Sequence, residues 1–293
     1  MAMKGKTVVV TGATSGMGQA VAEALAGQGA DVVLVGRSED KCRQVLKRIG
    51  RLSQNSKHRY YVADLSKQAD IRKLAEQVNR DISRLDVLVN NAGAWFTQRQ
   101  ESADGIEMTW ALNHMAYFIL SNALMGLLKS TAAEQGEARI VNQASMAHRN
   151  AEMNWEDIGF EQDWENEGKG GLGAGWAVYS QSKLANVIHA MALARRLQGT
   201  GVTAYAVHPG VVVTGFSQNN GWLYKLVAPI RKLGNRKTPL DGAQPTLHAV
   251  TSPVLTGVSG KYFGPPQQEE VPNPIALDPA VQDRLWQISE AMQ

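Results

Sequence analysis

The chain has 293 residues, of which 44% are hydrophobic and 19% charged, a balance typical of a folded globular protein and unlike that of a disordered one. Its formal net charge of +3 is too small to indicate a nucleic-acid partner. The single cysteine, Cys42, excludes an internal disulfide and favours a reducing compartment.

Short apolar runs alternate with amphipathic stretches along the first half of the chain. Strands are predicted at residues 7–11, 31–35, 58–62, 86–89 and 138–142. Helices are predicted at residues 16–28, 39–49, 68–82 and 105–129. Within the first two strands, residues 8–10 and 32–35 are continuously apolar, as expected for parallel strands that are covered on both faces.

The second half continues the same alternation. It adds helices at 176–197, 242–250 and 279–292 and strands at 202–207 and 257–263. Because strands that alternate with helices form right-handed crossovers, we predict an α/β fold of Rossmann type, with a doubly wound parallel sheet of about seven strands. No linker or repeat divides the chain, so a single domain is expected to span residues 1–293.

The N-terminal residues lead directly into the first predicted strand, and they do not read as a signal peptide. No apolar run approaches the roughly 18 residues that are needed to span a bilayer. We therefore expect a soluble cytoplasmic protein without a transmembrane segment.

A glycine-rich segment, residues 11–18, links the first predicted strand to the first predicted helix. Glycine permits a sharp turn and lets backbone N–H groups approach a pyrophosphate at the start of the helix. A glycine cluster also occurs in ordinary turns, but its position between a strand and a helix favours phosphate binding. The candidate phosphate-binding residues are Gly12, Thr14, Ser15, Gly16 and Met17.

The second predicted strand is followed by Gly36 and Arg37. A fold that prefers NAD is expected to place an acidic residue near this point to hold the ribose hydroxyls of adenosine. Arg37 instead offers a guanidinium suited to a 2′-phosphate, although a solvated surface arginine is the alternative. The sequence therefore predicts NADP(H) as the cofactor.

Tyr179 and Lys183 are four residues apart in the helix predicted at 176–197, so their side chains share one face. The ammonium is expected to lower the pKa of the phenol from its usual value of about 10 toward neutral pH. Such a phenol could give a proton to, or take one from, a carbonyl or alcohol oxygen. Taken alone, the pair is more often a packed ring beside a solvated ammonium.

In their order along the chain, these segments resemble the motifs of the short-chain dehydrogenase/reductase family, and the resemblance covers almost the whole chain. The other matching positions are Asp64, residues 90–93, Asn113, Ser145 and residues 209–210. The stretches at 179–186, 197–202 and 208–212 resemble the retinol-dehydrogenase-like branch, which includes the WW-domain oxidoreductases and mostly uses NADP(H).

The resemblance implies a role for each matched residue. Tyr179 would be the general acid/base, and Lys183 would lower its pKa and bind the nicotinamide ribose. Ser145 would stabilise charge on the substrate oxygen, and Asn113 would support a water that relays protons. The remaining cofactor contacts would come from Asp64, Leu65, Asn90, Ala92, Gly93, Pro209, Gly210, Val212 and Thr214.

Two segments are interpreted as substrate elements. Many family members keep the serine and the tyrosine closer than the 34 residues that separate Ser145 from Tyr179, so residues 146–175 are interpreted as an insertion. Its aromatic side chains could wall the substrate cleft or pin the insertion onto the surface. Residues around 214–238 are predicted to form an apolar lid, which favours a bulky hydrophobic substrate, and a helix resting on a membrane surface is the alternative.

The leading prediction is an NADP(H)-dependent oxidoreductase that interconverts an alcohol and a ketone or aldehyde on a hydrophobic small molecule. A non-enzymatic NADP-binding sensor or scaffold is the alternative, but it would not need the four matched catalytic residues together. An epimerase or dehydratase fits less well because its first-turn glycines are spaced differently. The histidines show no metal-ligand spacing, so no metal is predicted. The oligomeric state is left open between a homo-oligomer and a monomer.

Overall fold

Within residues 2–53, 57–162, 164, 172–210 and 238–293, which the computed structural model describes, eight strands form one sheet. The strands are β1 (Thr7–Thr11), β2 (Asp31–Gly36), β3 (Arg59–Val62), β4 (Val87–Asn90), β5 (Ala138–Gln143), β6 (Val202–Val207), β7 (Lys261–Gly264) and β8 (Gln268–Glu269). They lie in the order β3-β2-β1-β4-β5-β6-β7-β8, and only the β7–β8 pair is antiparallel. The predicted doubly wound parallel sheet in one domain is confirmed, with a short antiparallel strand added at one edge.

Helices connect the strands. They are α1 (Gly16–Gly27), α2 (Glu39–Leu52), α3 (Gln68–Asp81), α4 (Met108–Ala123), α5 (Met125–Gln135), α6 (Leu172–Arg196), α7 (Pro239–Thr251) and α8 (Pro279–Ala291). The order of the strands reverses on either side of β1, so the loops after β1 and β4 diverge and leave a crevice between them. A crevice of this kind is where open α/β sheets bind their ligands.

Alternate side chains of β1 and β2 enter two apolar cores, one on each face of the sheet. Val9 and Val33 pack in a core with residues of α3, α4 and α6. Val8, Val10 and Val32 pack in the other core with residues of α1, α2 and α7. Because both faces are covered, the centres of these strands, residues 8–10 and 32–35, are apolar at every position, and this is why their sequence predicts them so directly.

The prediction of one continuous helix at 105–129 is wrong. The structure has two helices, α4 and α5, with a 55° bend between them at Leu124. The bend leaves the carbonyl of Ala123 to accept a hydrogen bond from the side chain of Asn79, at 3.1 Å. In the described part of the chain, no single helix has the length and hydropathy to cross a membrane, and α4 and α5 reach that threshold only when taken together.

The last parallel strand also begins later than predicted, at Lys261 rather than at Gly257. Gly257 and Gly260 both have positive φ, of 73° and 74°. That left-handed conformation is incompatible with an extended strand, so the β conformation begins only after Gly260.

Two fully buried histidines lie where α4, α6 and α8 meet. Nε2 of His114 lies 2.7 Å from Oγ of Ser289, and Nδ1 of His189 lies 3.2 Å from Nδ2 of Asn142. Burial lowers the pKa of His189 to about 3. Burial, together with the charge of His189, holds the pKa of His114 well below its usual value. Both rings are therefore neutral at physiological pH.

These histidines are expected to make the fold sensitive to acid. The unfolded chain takes up these protons near pH 6.5 and the folded chain only at much lower pH, so their stabilisation is complete above pH 6.5 and is lost as pH falls. One such group gives a slope of at most about 1.4 kcal/mol per pH unit. Urea unfolding between pH 7 and pH 4 should therefore show the wild type losing stability more steeply than His189→Asn. Parallel curves for the two proteins would rule this out.

Candidate active site

The sheet brings the loops that follow four neighbouring strands, β1, β4, β5 and β6, to one edge. These loops carry Gly12, Gly93, Ser145 and Gly210. The adjacent helices α4 and α6 supply the remaining predicted site residues. Because parallel strands end at the same edge of a sheet, segments that are far apart in sequence meet there.

Ser145 and Tyr179 face each other at this edge. The side chains of the two residues are hydrogen-bonded, and Tyr179 is only 6% exposed. Ser145 begins a short turn, in which its Oγ accepts a hydrogen bond from the Ala147 N–H at 3.3 Å. The ring of His148 donates to the carbonyl of Ser145 at 2.7 Å. The serine is therefore held in place by its own turn.

The structure does not lower the pKa of Tyr179 as expected. Burial raises the pKa of its phenol to about 12, and the hydrogen bond with Ser145 acts in the opposite direction. The expectation from the Tyr–Lys spacing is therefore wrong for the site as described, because burial of the phenol is the larger effect. At neutral pH the phenol is protonated and ready to donate.

Lys183 is buried one turn after Tyr179. Its Nζ donates to the carbonyl of Gln143 at 2.9 Å and to Oδ1 of Asn186 at 3.2 Å. The same nitrogen lies 5.9 Å from the ring centroid of Tyr179 and 5.6 Å from that of Tyr117. Burial lowers the pKa of the ammonium to about 7. Lys183 is thus beside Tyr179, as the four-residue spacing predicts.

Asn113 lies in a π turn, Ala111–Met115, within α4. Its Nδ2 donates to the carbonyl of Ala94 and to Oγ of Ser182, both at 2.9 Å. Its Oδ1 accepts from the Ala94 N–H, also at 2.9 Å. The side chain therefore ties the loop after β4 to α6. Since both amide protons are donated within the protein, the water-relay role that the family resemblance implies stays a prediction.

Two buried residues beside the site are missing from the sequence prediction. Asn186 is three residues after Lys183, and Tyr117 is four residues after Asn113. The Tyr117 hydroxyl has no hydrogen-bond partner among the described residues. Helical spacing from the predicted catalytic residues is the signal that would have found both.

The loop after β1 fits a pyrophosphate. Gly12 has a φ of 64°, and a Cβ there would lie 2.9 Å from Cα of Ala92, so only glycine fits. Ser15 caps α1 without a side-chain hydrogen bond, and the first turn of the helix has no acidic residue. The first N–H groups of α1 therefore remain available to an anion. Thr14, Gly16 and Met17 lie in the same partly exposed segment.

The end of β2 is the predicted adenosine site. A Cβ on Gly36 would lie 2.5 Å from Cγ2 of Thr14, so glycine lets the two loops meet. Arg37 follows it and is exposed, and it forms no ion pair with the rest of the described chain. Asp64 accepts hydrogen bonds from the backbone N–H and the hydroxyl of Ser66, at 3.1 and 2.8 Å, and Leu65 beside it is buried.

The end of β4 and the loop after it carry the predicted cofactor residues Asn90, Ala92 and Gly93. Asn90 is fully buried, and its Nδ2 donates to Ser121 Oγ and Asn142 Oδ1, both at 3.0 Å. Its side chain is therefore engaged inside the protein, so a contact with a cofactor would have to come from its backbone. Ala92 is held by the hydroxyl of Thr11, at 3.0 Å from its N–H. A Cβ on Gly93 would lie 3.0 Å from Asn113 Oδ1 and 3.3 Å from Lys183 Nζ, so glycine permits their close approach.

The loop after β6 begins at His208. Its Nδ1 accepts a hydrogen bond from the N–H of Gly210 at 3.1 Å, which sets the path of Pro209 and Gly210 at the same edge of the sheet. Val212, Thr214 and nearly all of the lid predicted around 214–238 lie outside the described residues. Within the part that is described, no group of three or more His, Cys, Asp or Glu side chains is arranged to hold a metal ion.

Aromatic residues in the predicted insertion and directly after it are expected either to wall the substrate cleft or to pin the insertion onto the surface, and both arrangements occur. Phe160 and Trp164 are buried against Val178 of α6, so they pin the segment to the domain. Trp155 is also fixed to the domain, because the guanidinium of Arg284 in α8 lies over its ring, 4.7 Å from the centroid.

Trp176, in contrast, is 48% exposed beside Tyr179. Its ring centroid lies 5.4 Å from that of Tyr179 and 5.5 Å from that of Trp95. Trp176 therefore forms an apolar wall next to the phenol.

The sequence is similar to those of known short chain dehydrogenases. The family model for short chain dehydrogenases matches residues 6–156. The chain is 37% identical to retinol dehydrogenase 14 of Mus musculus, over 99% of this chain and 86% of that protein. It is 36% identical to retinol dehydrogenase 13 of Homo sapiens, over 96% of this chain and 82% of that protein.

Solved structures share the fold. A crystal structure of an uncharacterized protein from Mycobacterium paratuberculosis superposes with a TM-score of 0.76 and 28% identity, over 99% of this chain and 93% of that one. The RhlG/NADP complex of Pseudomonas aeruginosa superposes with a TM-score of 0.70 and 24% identity, over 90% of this chain and 96% of that one.

Proposed function

Since the chain belongs to the short-chain dehydrogenase family, we propose that it is an NADP(H)-dependent oxidoreductase that interconverts an alcohol and a ketone or aldehyde on a hydrophobic small molecule. Its family comprises oxidoreductases that act on CH–OH groups, and the chain is an enzyme of that class. The observation that carries the proposal is the meeting of Ser145, Tyr179 and Lys183 at the carboxyl edge of the sheet.

The residues of the crevice fit a nicotinamide dinucleotide. The loop at Gly12 and the N-terminus of α1 would hold the pyrophosphate, and Arg37 would hold the 2′-phosphate of NADP. The RhlG structure, which contains NADP, has the same fold. When bound, the nicotinamide supplies or accepts the hydride.

The proton chemistry belongs to the protein. In reduction, Tyr179 donates its phenolic proton to the substrate oxygen, and its pKa of about 12 keeps that proton in place at neutral pH. The hydroxyl of Ser145 is hydrogen-bonded to the same phenol. It therefore lies beside the substrate oxygen that receives the proton, and it stabilises the negative charge that develops on that oxygen. The ammonium of Lys183 favours the phenolate that is left behind. In oxidation the same groups act in reverse.

The substrate is proposed to be bulky and apolar. The exposed ring of Trp176 packs against Tyr179 and against Trp95, and this aromatic wall favours an apolar substrate. The relatives named retinol dehydrogenases suggest all-trans-retinaldehyde as the first probe.

The proposal is tested by mixing purified protein with NADPH and a panel of retinoid, terpenoid and aromatic aldehydes and ketones. We expect oxidation of NADPH with at least one hydrophobic carbonyl and tight binding of NADPH by calorimetry. Absence of NADPH binding would refute the proposal. Binding without turnover of any carbonyl would instead favour a non-enzymatic sensor of the same fold.

Arg37→Ser is expected to weaken binding of NADPH and to leave binding of NADH unchanged. Loss of one charged hydrogen bond, about 1.5 to 3 kcal/mol, corresponds to a loss of affinity of about ten- to a hundredfold. Calorimetric titration with both cofactors measures this difference. Arg80→Ser removes an equal charge from the C-terminal end of α3 and should change neither affinity. Equal weakening of NADPH and NADH by Arg37→Ser would contradict the assignment.

A further inference from the structure

Asn186 is a fully buried residue that connects two predicted catalytic residues. Its Oδ1 accepts a hydrogen bond from Nζ of Lys183 at 3.2 Å. Its Nδ2 donates to the main-chain carbonyl of Asn113 at 2.7 Å, across 73 residues of sequence. One amide thus joins the ammonium on α6 to the π turn of α4.

The chemistry of its two partners fixes the orientation of this amide. An ammonium can only donate and a carbonyl can only accept, so the oxygen must face Lys183 and the nitrogen must face Asn113. The flipped amide would place its N–H groups against the ammonium and its oxygen against a carbonyl. A symmetric or apolar side chain could not make both contacts.

Among the residues that the structure describes, neutral hydrogen-bond acceptors rather than a carboxylate stabilise the buried ammonium of Lys183. Tyr117 from α4 and Tyr179 from its own helix are the titratable groups that face it, and β5 contributes only the carbonyl of Gln143. Within the described chain no carboxylate acts on the ammonium, whose pKa burial alone lowers. The oxygens of Gln143 and Asn186 are therefore the groups that offset the cost of burying its charge.

We propose that Asn186 is a positioning residue that supports the charged form of Lys183 and directs its ammonium toward Tyr179. With Gln143 and Asn186 accepting two of the three ammonium protons, the direction of the third is set. The inference rests on the proposed function, since it concerns the lysine that acts on the catalytic phenol.

The test follows the Lys183 side-chain nitrogen by NMR in ¹⁵N-lysine-labelled protein, with Lys183→Met identifying the signal. Asn186→Asp places a carboxylate beside the ammonium and should raise its titration midpoint by about 1 to 3 pH units. Asn186→Leu removes the acceptor and should lower the midpoint. Should the leucine variant fail to fold, the aspartate variant decides alone, because it keeps an acceptor for Lys183.

Asn79→Asp is the matched control, because it makes the same chemical change on α3, where the side chain donates a hydrogen bond to the carbonyl of Ala123. It should leave the Lys183 midpoint at the wild-type value. A merely structural role for Asn186 would lower thermal stability without moving the Lys183 midpoint, so a wild-type midpoint in folded Asn186→Leu protein would overturn the inference. An unshifted midpoint in folded Asn186→Asp protein would overturn it as well, because residue 186 would then not contact the ammonium.

The titration needs no substrate, so its outcome is separate from that of the proposed function. A shifted midpoint in a protein that turns over no carbonyl would leave the Asn186–Lys183 coupling intact and reject the proposed activity. In an active protein, Asn186→Leu should lower kcat.

Discussion

Tyr179→Phe is expected to abolish carbonyl reduction while cofactor binding persists. The substitution removes only the hydroxyl, so the ring keeps its burial and its contact with Trp176, but no proton donor remains for the substrate oxygen. A general acid contributes about 10²- to 10⁴-fold to rate, so kcat should fall by that factor. Steady-state kinetics and calorimetry with NADPH measure the two effects separately.

Tyr205→Phe is the control for this experiment. Tyr205 is also a buried tyrosine, but its hydroxyl donates to the carbonyls of Leu255 and Val258, at 3.0 and 2.6 Å, beneath α7 and away from the site. This variant should lose some stability and keep its kcat. Turnover by Tyr179→Phe at the wild-type rate would remove Tyr179 from the mechanism.

Lys183→Met is expected to lose turnover and to change how stability depends on pH. Burial lowers the pKa of Lys183 from 10.5 to about 7, so the unfolded chain holds this proton over a range of pH in which the folded chain releases it. The contribution of Lys183 to stability is therefore complete above pH 10.5 and is lost as pH falls toward 7.

The difference in unfolding free energy, wild type minus Lys183→Met, should consequently rise from pH 7 to pH 10, by at most about 1.4 kcal/mol per pH unit. Urea unfolding of both proteins across this range gives the difference. The unpaired oxygens of Gln143 and Asn186 in the variant add a cost that is the same at every pH. A difference that stays flat or falls with pH would mean that Lys183 is not desolvated.

The fold could be predicted because its strands follow the simplest sequence rule. β1 and β6 begin and end at the predicted residues, 7–11 and 202–207, since parallel strands buried on both faces are mainly apolar. The bend at Leu124 could not be predicted in this way. Apolar residues continue across it, and the side chain that binds the freed carbonyl of Ala123 is that of Asn79, which is distant in sequence.

The site likewise has features that local sequence patterns predict and features that they do not. Lys183 lies beside Tyr179 because both are on one helix, and a four-residue spacing is enough to predict that. The contact of Asn186 with Asn113 joins two helices and depends on how they pack, which no local pattern reveals.

The raised pKa of Tyr179 is also a property that no local sequence pattern reveals. Burial is its largest cause, and burial is set by the whole fold rather than by the lysine four residues away. Motifs therefore predict which residues gather at the site, whereas their protonation follows from tertiary structure.

The most direct measurement is transfer of deuterium from NADPH labelled at the reactive position of the nicotinamide to the carbonyl carbon of the substrate panel, followed by mass spectrometry. With the wild-type protein, at least one hydrophobic aldehyde or ketone should give an alcohol carrying one deuterium, and Tyr179→Phe should give almost none. If no panel member yields labelled alcohol although NADPH binds, Ser145, Tyr179 and Lys183 do not form a carbonyl-reducing site.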